Sequence, residues 1–202
     1  MRFEKNVDLK KLTTLEVGGR AKYLVTACTK QEFAEAIEWA KEKNVEWVVI
    51  GEGSNLLVRD GGYNGLVVVN KIDLIERGGG KIKVGAGTNL NRLVDAVNTF
   101  RLAGMECLAG IPGRVGGAVY GNAGAYGQTI SDYLVTVTGL DRLWSKEECG
   151  FGYRESNFKK NREIIVETAF DLPDGNTKEL RDKSVEIRTL REKKYPKGLK
   201  CL

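Results

Sequence analysis

The chain has 202 residues, 42% apolar and 29% charged, with a formal net charge of +5 and no histidine. This composition suits a globular protein of one large or two small domains. No apolar run nears the roughly 18 residues that span a bilayer, and the start MRFEKNVDLKK lacks an apolar signal segment, so a cytoplasmic protein without a membrane partner is expected. The missing histidine excludes histidine triads, histidine-ligated metals and histidyl-linked cofactors, which leaves Arg, Lys, Asp, Glu, Tyr, Ser and Cys to carry any chemistry.

In chain order, AKYLVTA (21–27) reads as a strand and KQEFAEAIEWAKEKN (30–44) as an amphipathic helix. Phe33, Ile37 and Ala40 share a face of that helix, and Thr29 is placed to cap it. EWVVI (46–50) is a short buried strand, followed by a glycine-rich loop and the strand GLVVVNK (65–71). A first subdomain over 1–71 is expected, with a second over 72–202. The second opens with the strand KIKVGA (81–86) and a helix over 89–104, in which Leu90, Leu93, Val94 and Val97 align and Gly104 makes a natural stop. Two β-branched stretches, 133–141 and 162–172, read as strands. The last element, 177–194, is a charged helix carrying Leu180, Val185, Ile187 and Leu190. The fold class is α+β.

From Lys178 to Lys200 there are nine basic and four acidic residues, so the rest of the chain is neutral overall. Such a stretch is either a solvated helix face or an attractor for nucleic acid or a small anion. Interspersed acids and the lack of aromatic–basic repeats favour the first, and no nucleic-acid partner is expected. Cys28, Cys107, Cys149 and Cys201 are scattered without zinc spacing, so reduced packing thiols and no metal are expected.

Two segments rhyme. VVIGEGSNLL (48–57) and IKVGAGTNL (82–90) both run from strand to Gly-x-Gly, a hydroxyl residue, Asn and Leu. Such loops either turn backbone N–H groups toward an anion or form an ordinary turn or helix cap. For Thr88 and Asn89, directly before a helix, capping is the better reading. Leucine at the third glycine position excludes the dinucleotide fingerprint, and no Gly-Lys-Ser/Thr appears. A third stretch, GIPGRVGGAVYGNAGAYG (110–127), has seven glycines in eighteen residues. Ile111, Val115, Val119 and Tyr126 interrupt it, unlike a slack linker. Three such stretches point to a diphosphate-containing cofactor lying against backbone. In CGFGYRESNFKK (149–160), Arg154 is a planar fork suited to a carboxylate, or else an exposed arginine beside a packed tyrosine.

TTLEVGGRA, IGEGSNLLVRDGGYNGLVV, GAGTNLNRLV, GIPGRVGGAVYGNAGAYG and FGYRESNFK stand in an order that resembles the UDP-N-acetylenolpyruvoylglucosamine reductases, over nearly the whole chain. The resemblance implies an FAD-binding fold of the PCMH or vanillyl-alcohol-oxidase type, two α+β subdomains with the cofactor between them. It implies noncovalent FAD held by Gly51, Glu52, Gly53, Ser54, Asn55 and Leu56, and by Gly110, Ile111, Pro112, Gly113, Arg114, Gly116, Gly117, Asn122, Gly124, Ala125, Tyr126 and Gly127, with Val166 in the later strand. NADPH is the implied hydride donor and a UDP-sugar enolpyruvyl ether the substrate. Tyr153 and Arg154 are implied substrate contacts, Arg154 catalytic through the substrate carboxylate.

The family's proton-donor motif and third, substrate-binding domain would follow Leu202, and Cys201 falls near the donor's place. The resemblance therefore implies either a fragment of the reductase or a noncatalytic FAD-binding module or redox partner. Arg114 also departs from the family's small hydroxyl residue; it either pairs with a phosphate or turns outward.

Overall fold

The computed structural model describes residues 1–195 and divides into two units, the first Met1–Ile72 and the second beginning at Asp73. In the first unit, β1 (Glu4–Asp8), β2 (Arg20–Ala27), β3 (Trp47–Ile50) and β4 (Tyr63–Asn70) form one sheet in the order β1-β2-β4-β3. β1 runs antiparallel to β2, whereas β2 and β3 both run parallel to β4. α1 (Lys30–Glu42) carries the chain from β2 to β3 on the far side of β4, and the 51–62 segment crosses back from β3 to its parallel neighbour β4. β4 is buried from Gly65 to Asn70, as expected of a parallel strand covered on both faces. α1 packs on β2 and β4 through Phe33, Ala36, Ile37 and Ala40; Leu9, Leu24, Ile50, Val67 and Val69 form a separate core.

The ends of α1 follow from its sequence. The Thr29 hydroxyl accepts the Glu32 N–H at 3.1 Å, and the Glu32 carboxylate accepts the Thr29 N–H in return. At the other end Asn44 is left-handed (φ 51°), and the Asn44 and Val45 N–H groups donate to the Lys41 and Ala40 carbonyls. This Schellman pair closes the helix two residues before the expected end at 44.

In the second unit, β5 (Ile75–Gly78), β6 (Lys81–Gly85), β9 (Leu134–Gly139), β10 (Leu143–Ser145) and β11 (Ile165–Phe170) form an antiparallel sheet ordered β10-β9-β11-β6-β5, while β7 (Gly124–Ala125) and β8 (Gln128–Thr129) pair as a separate hairpin. Its helices are α2 (Leu90–Thr99), α3 (Val115–Tyr120), α4 (Asn157–Asn161) and α5 (Thr177–Lys194). α3 lies against β6 and β11, and α2 packs on α3 and α5. Leu90, Leu93, Val94, Val97, Val115, Val119, Ile130, Phe158, Phe170 and Ile187 are among the buried residues of one continuous core. The short, polar strands β1, β5, β7, β8 and β10 carry no run of alternation long enough to announce them.

α2 stops earlier than expected. Arg101 takes a left-handed φ of 60°, and the Arg101 and Leu102 N–H groups donate to the Asn98 and Val97 carbonyls. Gly104 is therefore not the stop. It is required for another reason: a Cβ there would lie 2.3 Å from the Tyr133 ring. α5 matches its expected span; Leu180, Ser184 and Ile187 face inward, while Val185 and Leu190 remain exposed. No described helix is long and apolar enough to cross a membrane.

Candidate functional site

The Gly51–Leu56 segment leaves β3 and folds onto the chain before β2. Gly53 has φ +65°, and a Cβ on it would sit 1.9 Å from the Leu12 carbonyl oxygen. The Gly53 carbonyl accepts the Thr14 N–H at 3.2 Å. A few residues on, Gly19 donates to the Arg59 carbonyl at 2.9 Å, and a Cβ on Gly62 would strike the Arg20 carbonyl. Gly19, Gly53 and Gly62 thus let two loops press backbone to backbone. Glu52 and Asn55 are exposed; Gly51, Ser54 and Leu56 are half-buried.

The rhyming segment has a different local form. The Gly85, Ala86, Thr88 and Leu90 N–H groups donate to the carbonyls of Leu74, Val166, Gly85 and Gly113. These four amides are engaged within the protein, so the segment forms a joint between β6, β11 and the glycine-rich stretch. Asn89 caps α2 by accepting the Arg92 N–H at 3.1 Å. Thr88 does not cap it: its hydroxyl bonds Asp73 and Leu74. Val166 is buried at a register shift in β11.

The glycine-rich stretch is fastened to that joint. Asn91 donates to the Ile111 carbonyl and accepts the Gly110 N–H at 2.6 Å. Val115 and Gly116, the first two residues of α3, donate to the Thr88 and Ala86 carbonyls. Gly116 is needed there, because a Cβ would lie 2.9 Å from Ala86 Cβ. The half-buried Arg114 guanidinium donates through Nη1 to the Gly87 carbonyl, so it does not simply turn outward. Gly113 (φ +123°) sits in a conformation that side chains avoid, and the exposed Pro112 lies beside it. Farther on, Tyr126 and Gly127 (φ +53° and +80°) make the two-residue turn of the β7–β8 hairpin, and a Cβ on Gly124 would meet the Gln128 carbonyl at 2.5 Å. Ala125 is half-buried in that hairpin.

Gly117 and Gly121 have no such explanation. Neither has a positive φ; a Cβ on Gly117 would meet nothing within 4 Å, and one on Gly121 only the Gly117 carbonyl at 3.6 Å. They stand four residues apart, Gly117 within α3 and Gly121 at its C-cap, about one turn on. Glycine inside a helix costs about 1 kcal/mol relative to alanine. Gly117 carries that cost with no steric reason inside the protein, and its exposed backbone leaves room for a flat group to lie against it.

Tyr153 and Arg154 form the tip of a two-residue turn closed by reciprocal Gly152 and Glu155 backbone hydrogen bonds of 3.0 and 3.2 Å. Tyr153 is 93% exposed, Arg154 is exposed, and Arg154 is left-handed at φ 57°. Tyr153 is therefore not the packed tyrosine of the alternative reading. The turn is tied to the end of α3: Asn122 Nδ2 donates to the Gly152 carbonyl at 2.9 Å, and the buried Ser156 Oγ donates to the Tyr120 carbonyl at 2.7 Å. The structure thus brings the Tyr153–Arg154 turn to the glycine-rich segment. Ser156 and Asn91 were missed in the sequence; the one signal was a serine and an asparagine at positions that would otherwise read only as helix caps.

Cys28 is exposed, whereas Cys107 and Cys149 are buried free thiols. Burial, with Glu106 beside Cys107 and Glu148 beside Cys149, pushes both from the ordinary 9.0 to about 11. Neither is a thiolate at neutral pH. Cys201 lies outside the described residues. Among the described residues no group of three or more Cys, Asp or Glu could hold a metal. A shallow cleft of about 660 Å³ in the first unit, lined by Lys5, Arg20, Lys22, Tyr23 and Tyr63, contains none of the candidate residues. The bases of α5 are engaged locally: Arg188 pairs with Asp95 at 2.6 Å and Lys183 with Glu106 at 3.9 Å.

Known proteins resemble the chain over most of its length. The profile of a family described as FAD binding domain matches residues 21–142. The UDP-N-acetylenolpyruvoylglucosamine reductase of Streptococcus uberis is 36% identical over 197 residues, covering 95% of this chain and 65% of its own length. The structure of the same-named reductase (MurB) from Thermus caldophilus superposes with TM-score 0.83 at 35% identity, over 98% of this chain and 71% of that one. A 6-hydroxy-D-nicotine oxidase from Arthrobacter nicotinovorans, at 20% identity and TM-score 0.58 over 76% of this chain and 37% of its own, shares the fold alone. The chain spans just under two thirds of the length of the curated relatives it matches, 65% and 62% for the first two. The α+β fold is of the FAD-binding PCMH type, and the chain belongs to the FAD binding domain family and, within it, to the UDP-N-acetylenolpyruvoylglucosamine reductases.

Proposed function

We propose that the chain binds FAD noncovalently and serves the NADPH-dependent reduction of a UDP-N-acetylglucosamine enolpyruvyl ether to UDP-N-acetylmuramate, a cytoplasmic step of peptidoglycan precursor synthesis. The observation that carries the flavin reading is the bare backbone of Gly117 in α3, with Gly121 at the helix C-cap, where no neighbouring atom forbids a side chain. Within the second unit, Gly110–Gly113, Ala125 and Tyr126 are the further residues that would hold the flavin. Bound FAD supplies hydride relay from NADPH to the enolpyruvyl β-carbon.

The chain's own part is placement and charge. Arg154 grips the substrate carboxylate as a planar fork and stabilises the negative charge that grows on the enolpyruvyl group. Tyr153, beside it on the turn, contacts the substrate. A second reading, an FAD-binding module without turnover, is favoured by one observation: no described residue covers the 93% exposed Tyr153.

Gly117→Ala tests the carrying observation. Thermal unfolding should show stability unchanged or raised by up to about 1 kcal/mol, as a helix alanine replaces glycine. FAD affinity, followed by quenching of flavin fluorescence, should fall at least about tenfold, some 1.4 kcal/mol. Unchanged affinity would remove Gly117 from the site. Anaerobic mixing of the reduced flavoprotein with the enolpyruvyl ether separates the two readings, since only an enzyme reoxidises its flavin.

A further inference from the structure

Arg154 stands at an unpromising place for a residue that must meet a substrate atom: the exposed tip of a two-residue turn, with a backbone φ that arginine rarely adopts. Left-handed non-glycine residues persist only where their surroundings over-determine them. Here the surroundings can be named. Ser156 is fully buried, and its hydroxyl donates to the Tyr120 carbonyl at 2.7 Å, at the last turn of α3. Asn122, just past α3 and itself left-handed at φ 42°, donates its amide to the Gly152 carbonyl at 2.9 Å. The two bonds grip the turn from either side, one residue before its tip pair and two residues after Arg154. Lys159 Nζ adds a third constraint, donating to the Arg154 carbonyl at 2.5 Å.

We infer that Ser156 and Asn122 are positioning residues that clamp the Tyr153–Arg154 turn to the C-terminal end of α3. The inference rests on the reading of Arg154 as the carboxylate-binding residue. Its consequence is geometric. Gly117 lies on the helix whose end, capped by Gly121, holds the clamp, so the proposed flavin-facing backbone and the substrate arginine share one reference element. An arginine on an exposed loop is thereby held to the tolerance that a reacting geometry demands.

Amide hydrogen exchange tests the clamp without requiring flavin. In Ser156→Ala and in Asn122→Ala, the hydrogen-bonded Gly152 and Glu155 amides should exchange at least about tenfold faster, while amides of the β6–β11 pairing keep their wild-type rates. Unchanged rates at the turn would overturn the inference. So would a rise shared equally by the β6–β11 amides, which would mark a general loss of stability. In the FAD-loaded protein, Ser156→Ala should keep FAD affinity within about threefold yet slow flavin reoxidation by the enolpyruvyl ether at least about tenfold. The double variant Arg154→Ala Ser156→Ala should be no slower than Arg154→Ala alone, since both changes remove one function. Additive losses would show Ser156 acting apart from Arg154 and overturn the inference. If the wild-type protein takes up no FAD, the functional reading falls, while the exchange result still decides whether the clamp exists.

Discussion

Arg114 lies inside the glycine-rich stretch, where a cationic side chain invites assignment to a phosphate. Its guanidinium holds the Gly87 carbonyl, fastening the two glycine segments of the second unit to one another. Arg114→Ala removes that donor from a part-buried carbonyl and should lower the unfolding free energy by about 1–3 kcal/mol. Urea denaturation with an unchanged slope would measure it; an unaltered midpoint would show that the latch is dispensable. Gly117 makes the opposite case, a residue whose chemistry is legible only because nothing inside the protein needs it. The cysteines divide in the same way. Exposed Cys28 should alkylate readily at pH 8, while Cys107 and Cys149, buried and pushed up to about 11, should stay unmodified until the protein unfolds.

Helix ends show how much an element can bend the expectation drawn from its residues. α1 and α2 both close with Schellman hydrogen bonds, but the left-handed position is Asn44 in one and Arg101 in the other. Asparagine tolerates that conformation; arginine does so at a cost. Arg101→Gly should therefore raise stability by about 0.5–1 kcal/mol, read as a higher melting temperature, with the same α2 span. A loss instead would mean that the Arg101 side chain contributes more than its backbone strain costs. The rhyming Gly-x-Gly segments diverge for a related reason. One runs into α2 and its asparagine becomes a cap, whereas the other runs into a loop pressed against Leu12–Thr14. Identical letters took different forms because what followed them differed.

For the whole chain, two solution properties follow. The raised thiols of Cys107 and Cys149 bind protons more tightly in the folded than in the unfolded state. Their contribution to stability is full below the ordinary thiol value of 9.0 and is lost as pH rises toward about 11. The melting temperature should fall across that window, and less steeply in a Cys107→Ala Cys149→Ala double variant; equal slopes would assign the fall to other groups. Ligand linkage gives the second. FAD at a hundredfold excess over its Kd should stabilise the native state by about 2.7 kcal/mol. For a chain of this size that corresponds to a melting shift of roughly 5–10 °C. No shift would mean no binding to the folded state.

The long periodic elements were readable without coordinates. α1, α5 and strands β2, β3, β4, β6, β9 and β11 stand where apolar spacing and β-branched content put them, because burial of one face imposes that spacing. The glycine stretches were visible too, and so was the order of motifs that places the chain in its family. What the letters could not separate was why each glycine is there. Gly53, Gly104 and Gly116 answer to neighbours distant in sequence and Gly124 to the facing strand of its own hairpin, whereas a Cβ on Gly117 or Gly121 would clash with nothing. Only the tertiary structure made that distinction, since a missing Cβ has meaning only when one knows what would have touched it. The same holds for Ser156: a serine before a short helix reads as a cap, and its bond to a carbonyl 36 residues away depends on how the chain folds back upon itself.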